Sequence, residues 1–164
     1  MTTPRDTGFI LIVDDNPTNL SVLSTALASA GFRFRVAVGG ESAIALIERH
    51  QPELILLDVQ MPGIDGFETC RAIKANPVTK NIPIIFTTAL ADTESKIKGF
   101  ALGAVDYIPK PFEQEEVIAR VRVHLQLKQL TESLEEQVRD RTAALELDFG
   151  QRGKRFARFQ REAN

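Results

Sequence analysis

Short apolar runs alternate with helical patterns along most of the chain, and that alternation limits the folds open to it. Phe9 to Val13, Phe32 to Val38, Leu54 to Leu57, Ile82 to Phe86 and Tyr107-Ile108 read as five strands. Between them, Leu20, Leu23, Leu27 and Ala30, then Ala43, Ile44, Leu46 and Ile47, recur at helical spacing. Phe67, Cys70 and Ile73 continue the series, as do Ile97, Phe100, Ala101 and Leu102. Gly31, Pro52, Pro77 and Gly103 punctuate the helices, and a fifth helix begins near Glu113. Five strand–helix units, the second strand alternating in part with Arg33 and Arg35, imply a parallel sheet covered on both faces. A barrel requires eight strand–helix units. The expected fold is α/β: a doubly wound, five-stranded parallel sheet of the flavodoxin-like order 2-1-3-4-5.

Composition adds exclusions. The 164 residues are 43% hydrophobic and 26% charged, with a net charge of −2. That balance gives no reason to expect a nucleic-acid partner. No apolar run approaches the roughly 20 residues that span a bilayer. Residues 1–8 are a short polar lead without a secretory apolar core. Cys70 is the sole cysteine, which fits a reducing, cytoplasmic location, and it reads as a small core residue. His50 and His124 stand isolated, so zinc is not expected.

The chemistry lies at the strand ends, where open α/β sheets place their ligands. The first strand ends at Asp14-Asp15, and the third at Asp58 before Met61-Pro62-Gly63-Ile64-Asp65-Gly66. Alone, Asp58 fits the start of a turn equally well. With strands one and three as central neighbours, however, Asp14, Asp15 and Asp58 meet in one crevice. Close carboxylates repel unless a cation joins them, and hard oxygen donors suit Mg²⁺ or Mn²⁺. Thr88 from strand four and Lys110 from strand five enter the same crevice. A hydroxyl, an ammonium and a divalent ion supply what a phosphoryl group needs. Asp58 then reads as a nucleophile that takes the phosphoryl group as an acyl phosphate.

These motifs resemble the response-regulator receiver domain of two-component signalling, over about residues 8–125. The resemblance rests on Val13-Asp14-Asp15-Asn16, Leu57-Asp58-Val59-Gln60-Met61-Pro62-Gly63, Thr87-Thr88-Ala89 and Asp106-Tyr107-Ile108-Pro109-Lys110-Pro111-Phe112. It implies Asp58 as phosphoacceptor. It implies a metal held by Asp15, Asp58 and the main-chain carbonyl of Gln60, with Asp14 acting through water. It implies Thr88 and Lys110 as phosphoryl contacts, Thr88 being the threonine that directly precedes Ala89. Tyr107 falls at the aromatic switch position, and the Lys110–Pro111 bond is expected to be cis. The implied partner is a histidine kinase or phosphotransfer protein. On this reading the chain is no enzyme beyond its own phosphorylation and dephosphorylation. Thr87 departs from the family, which usually has an apolar residue there. Gln60 and Leu90 hold variable positions expected to tune how fast phosphate arrives and leaves. Two other classes fit less well. A haloacid-dehalogenase-type phosphatase also uses an Asp nucleophile, but needs a second Asp where Gln60 stands. A nucleotide-binding module needs a glycine-rich first loop, where this chain has Asp-Asp-Asn-Pro.

From Glu113 to Phe149 there is neither Gly nor Pro. Val123, Leu127, Leu130, Leu134, Val138 and Leu145 follow one another in steps of 4, 3, 4, 4 and 7, a heptad seam with one stutter. Residues 126–149 are therefore expected to form a coiled-coil extension of the fifth helix. The length of the seam and its heptad spacing favour a parallel homodimer over folding back on the domain. It is similar to the helical linkers that join receivers to outputs, none of which follows here; the chain reads as either truncated or signalling by its own dimerisation. Residues 150–164 carry five basic residues against one acidic. They are expected to be a disordered tail, or else a basic segment that touches acidic lipid or nucleic acid.

Overall fold

A computed structural model describes residues 8–89 and 92–163, with side chains placed through Leu147. Five strands and five helices alternate: β1 (Ile10–Val13), α1 (Pro17–Ser29), β2 (Phe34–Ala37), α2 (Gly40–Arg49) and β3 (Leu54–Asp58). Then come α3 (Gly66–Ala75), β4 (Ile84–Thr88), α4 (Thr93–Ala101), β5 (Asp106–Pro109) and α5 (Gln114–Ala163). The strands form one sheet in the order β2-β1-β3-β4-β5, parallel throughout. This is the doubly wound, flavodoxin-like fold expected from the apolar runs.

Alternation along the strands splits the core in two. Leu11, Val13, Ile55, Leu57, Ile84 and Phe86 face α2 and α3, meeting Ala43, Ile47, Phe67, Cys70 and Ile73. Ile10, Ile12, Leu54, Leu56, Ile85 and Ile108 face α1 and α5, meeting Leu23, Leu27, Val117, Val121 and Leu125. Each strand residue of β1 and β3 is therefore buried on one face or the other, which is why those runs carry no polar alternation. Burying one such side chain is worth about 1.5–3 kcal/mol.

Local signals set the helix starts. The Asn16 side chain accepts from the amides of Thr18 and Asn19, with Pro17 in the first helical turn. Asp65 caps α3 through the Glu68 amide, and Asp92 caps α4 through the Ser95 amide.

Three features differ from expectation. β2 is shorter, since Phe32 and Val38 lie outside the ladder at the sheet edge. In α4, Ile97 and Phe100 are exposed, and the buried residue is Gly99. The helix packs by its smallest residue because the Tyr107 ring occupies the space beneath it. Third, α5 runs to Ala163, through the stretch expected to be a disordered tail. A glycine inside a helix costs only about 1 kcal/mol relative to alanine, so Gly150 and Gly153 do not oblige it to stop.

The chain divides into two units, Met1–Leu125 and Gln126–Asn164. In the second, Leu127, Leu130, Leu134, Val138, Leu145 and Leu147 are all exposed. Among the described residues, no helix is long and apolar enough to cross a membrane.

Candidate functional site

The C-terminal ends of β1, β3, β4 and β5 converge on one crevice. Asp58 is the last residue of β3, and the chain turns so tightly behind it that Gly66 opens α3 against the Asp58 backbone. A Cβ on Gly66 would collide with the Asp58 carbonyl oxygen and stand 2.8 Å from the Val59 Cα. Glycine is the side chain that this approach admits.

Asp14 and Asp58 are buried, and Asp15 is exposed. One carboxylate oxygen from each of the three lies within 4.8 Å of the others. Lys110 Nζ reaches into the group, 2.9 Å from Asp58 Oδ1 and 3.4 Å from Asp14 Oδ2. The Lys110 amide bonds the Thr88 carbonyl at 2.9 Å, which ties the loop after β5 to the end of β4. The Lys110–Pro111 peptide is cis. Asp14 Oδ1 accepts from the Asn16 amide at 2.9 Å.

Burial pushes the Asp58 carboxyl above the usual range, and the Asp14 charge adds to that. The Lys110 hydrogen bond and charge, and the Gln60 amide, act against it without cancelling it. One ammonium therefore does not neutralise the cluster. Asp14 Oδ2 is buried and has no hydrogen-bond partner among the described residues. A cluster of carboxylate oxygens, one of them buried with no hydrogen bond and only the 3.4 Å ion pair to Lys110, suits a hard divalent cation. The three carboxylates fit such an ion.

Thr88 and Tyr107 occupy the neighbouring region. Thr88 is buried at the end of β4, and Ala89 beside it is exposed. Tyr107 lies inward: its hydroxyl donates to the Ser95 carbonyl at 2.6 Å, and its ring centroid is 5.6 Å from that of Phe86 and 5.3 Å from that of Phe100. A cavity of about 390 Å³ opens there, with Thr88, Tyr107, Lys110 and Phe100 among its walls. Leu90 lies outside the described residues.

The fold also brings together residues that no motif links. Asp106 accepts from Arg120 at 2.6 Å and lies 2.9 Å from His124 Nε2. Burial pushes Asp106 up, but hydrogen bonds with His124, the Tyr107 amide and Arg120 together hold its carboxyl below the usual range. His124, isolated in sequence, is thus paired in space. Its spacing of four from Arg120 on an amphipathic helix was the only local hint.

The arrangement defines a class. A doubly wound sheet with clustered acids, a hydroxyl and a lysine at its strand ends is the architecture of a signalling receiver. The family model for the response regulator receiver domain matches residues 10–122, and the chain belongs to that family. It is 43% identical over 116 residues to the DNA-binding dual master transcriptional regulator RpaA of a Synechocystis species, covering 71% of this chain and 48% of that protein. It is 38% identical over 125 residues to the response regulator PleD of Caulobacter vibrioides, covering 76% of this chain and 28% of that one. A response regulator structure from Chloroflexus aurantiacus superposes with a TM-score of 0.70 at 41% identity, covering 73% of this chain and 98% of that one. The chain thus spans less than half the length of these two curated relatives.

Proposed function

We propose that Asp58 is the phosphoacceptor of a two-component signalling pathway. The observation that carries this reading is the convergence of Asp14, Asp15, Asp58 and Lys110 in one crevice, with Thr88 beside it. An Asp58 carboxylate oxygen attacks the phosphorus of a phosphohistidine on a histidine kinase or phosphotransfer protein. The new P–O bond forms as the P–N bond breaks, and the electron pair goes to the imidazole. Lys110 binds the incoming anion by charge-assisted hydrogen bonds. Asp14, Asp15, Asp58 and the Gln60 carbonyl would hold Mg²⁺ or Mn²⁺, which would supply positive charge to offset that of the transferring group. Thr88 donates its hydroxyl to the phosphoryl group, and the Tyr107 side of the domain registers that move. The added charge is a local event that biases the loops after β4 and β5.

The second unit transmits this state as a parallel homodimer. Its apolar stripe is exposed on the single chain, and long helices of this kind are stabilised by a partner. Residues 9–125 are the receiver and the helix beyond is the transmitter.

Intact mass after incubation with acetyl phosphate tests the phosphoacceptor. The wild-type chain gains one phosphoryl group only with Mg²⁺ or Mn²⁺ present, and Asp58→Asn gains none. Equal gain by both chains refutes the assignment. Light scattering of wild type against Leu130→Glu/Leu134→Glu tests the dimer: the variant is a monomer that still accepts phosphate.

A further inference from the structure

Two stripes of α5 hold it to the rest of the first unit, and both end at the same turn. Val117, Val121 and Leu125 form the apolar stripe, buried against the sheet. Glu116, Arg120 and His124, one residue earlier at each step, form a polar stripe. Arg120 bonds Glu116 along the helix at 3.1 Å and Asp106 on β5 at 2.6 Å. His124 Nε2 lies 2.9 Å from the other Asp106 oxygen. Asp106 is held below the usual carboxyl range, so it is ionised near neutral pH. A carboxylate only accepts, which places the proton on Nε2 and makes His124 the donor. Leu125 ends the first unit, and the helix runs on without a break. His124 also stands between Val123 and Leu127, the first two residues of the seam, which are 50% and 51% exposed.

We infer that His124 and Asp106 are positioning residues for signal transmission: their bond fixes the last turn of α5 in the first unit to β5, and through it phosphorylation of Asp58 strengthens pairing of the helix with a second copy of this chain. The inference rests on Asp58 being the phosphoacceptor and on the dimer seam proposed above. The apolar stripe buries surface but has no direction, and it resists rolling of the helix only weakly. The His124 bond is directional and sets the rotation of that turn. Arg120 holds Asp106 one turn earlier, and His124 carries the attachment to the point where the first unit ends.

β5 begins at Asp106 and leads into Lys110, whose Nζ is 2.9 Å from Asp58 Oδ1. The Lys110 amide bonds the Thr88 carbonyl, and Thr88 pairs with Pro109 in the ladder of β4 and β5. A phosphoryl group contacted by both Lys110 and Thr88 tightens that ladder at its end. A firmer β5 holds Asp106, and Asp106 holds the turn that carries His124. The seam starts on the same turn. A second copy then meets Val123 and Leu127 on a helix already ordered, and the ordering cost of pairing falls. Linkage is reciprocal, so pairing of the helix in turn steadies β5.

Sedimentation of the full chain in Mg²⁺ buffer, with and without excess acetyl phosphate, gives the dimer dissociation constant in both states, and intact mass gives the phosphoryl content. In wild type the constant is expected to fall about fivefold or more on phosphorylation. His124→Leu removes the donor and keeps a good helix former, and its constant is expected to change by less than about twofold. His124→Gln keeps a donor and restores the wild-type response. Asp106→Ala also removes the response, and adding His124→Leu to it changes nothing further. Amide hydrogen exchange at residues 121–125 slows on phosphorylation in wild type and does not slow in His124→Leu. A His124→Leu response like wild type, or a His124→Gln response as small as that of His124→Leu, overturns the role while both earlier readings stand. A phosphorylated wild-type dimer with an unchanged constant, or with unchanged exchange at these amides, overturns it whatever the variants do. A wild-type chain without phosphoryl gain removes the phosphoacceptor reading, and a wild-type monomer at all concentrations removes the dimer reading; either takes this inference with it.

Discussion

Residues 8–125 and residues 126–147 both carry apolar side chains at regular spacing, with opposite outcomes. In the first unit, Leu54 to Leu57 are 0% exposed. In the second, Leu130 and Leu134 are 60% and 59% exposed. A periodic apolar pattern thus states that a face needs cover, and leaves open what covers it. In the sheet the cover is the chain's own helices. On the seam it is a second molecule, in the reading proposed above.

The largest expected effect separates the two units directly. Leu56→Ala, at the centre of β3, is expected to cost about 2–5 kcal/mol of stability. Leu134→Ala leaves no cavity within the first unit and is expected to change its unfolding by less than about 0.5 kcal/mol. Chemical denaturation followed in the amide CD of both variants checks this. A comparable loss at both positions would mean that the seam is packed within its own chain.

Gly99 sharpens the contrast inside the first unit. A Cβ there would collide with the Tyr107 hydroxyl and stand 3.0 Å from Phe86 Cε2. Gly99→Ala is expected to push the Tyr107 ring outward, break its bond to the Ser95 carbonyl and cost about 1–3 kcal/mol by overpacking. The Tyr107 ring signals in NMR report the displacement. Unchanged signals would show that α4 shifts instead and that the inward tyrosine does not depend on glycine.

Asp58 gives an effect of the opposite sign, at the strand end rather than the core. Its carboxyl is held above the ordinary value of 3.8 by burial and by Asp14. A folded-state value raised in this way favours the protonated form. That contribution is fully present below pH 3.8 and is lost as pH rises through the elevated value. Near neutral pH the ionised Asp58 therefore burdens the fold, and Asp58→Asn is expected to raise the melting midpoint. The gain is a few degrees, about 1 kcal/mol corresponding to about 2–4 °C at this size. It vanishes as the pH is lowered below 3.8 and shrinks when Mg²⁺ replaces EDTA. Scanning calorimetry of both chains across pH decides it, and a lower midpoint for Asp58→Asn in EDTA contradicts the account.

These cases explain what was legible in the sequence. The sheet was readable because β1, β3 and β4 are buried on both faces, so their runs are unbroken. Asp14, Asp15, Asp58, Thr88 and Lys110 could be brought together because strand order alone places those ends side by side. Ile97 and Phe100 marked the fourth helix correctly, but their exposure was not legible, because periodicity identifies an apolar face without saying which way a short helix turns it. No motif links Asp106 to Arg120 and His124, since their contact depends on how α5 lies against β5. Thr87 was visible as a departure, but the burial of its hydroxyl without a hydrogen-bond partner among the described residues was not.

The smallest effect tests that unread cluster. Asp106 is held below the ordinary 3.8: burial raises it, but His124, the Tyr107 amide and Arg120 outweigh burial. A depressed folded value contributes stability above 3.8 that is lost as pH falls through it, the reverse of Asp58. The Asp106 side chain is 22% exposed and its Arg120 partner 36%, so solvent screens the pair. Asp106→Asn is expected to cost about 0.5–1 kcal/mol near neutral pH, and less in high salt. Below 3.8 the cost shrinks, because the wild-type carboxyl approaches the same neutral state. Asp58→Asn and Asp106→Asn thus change stability in opposite directions near neutrality, and both differences diminish in acid. A stabilising Asp106→Asn would mean that burial, and not its three partners, governs this carboxylate.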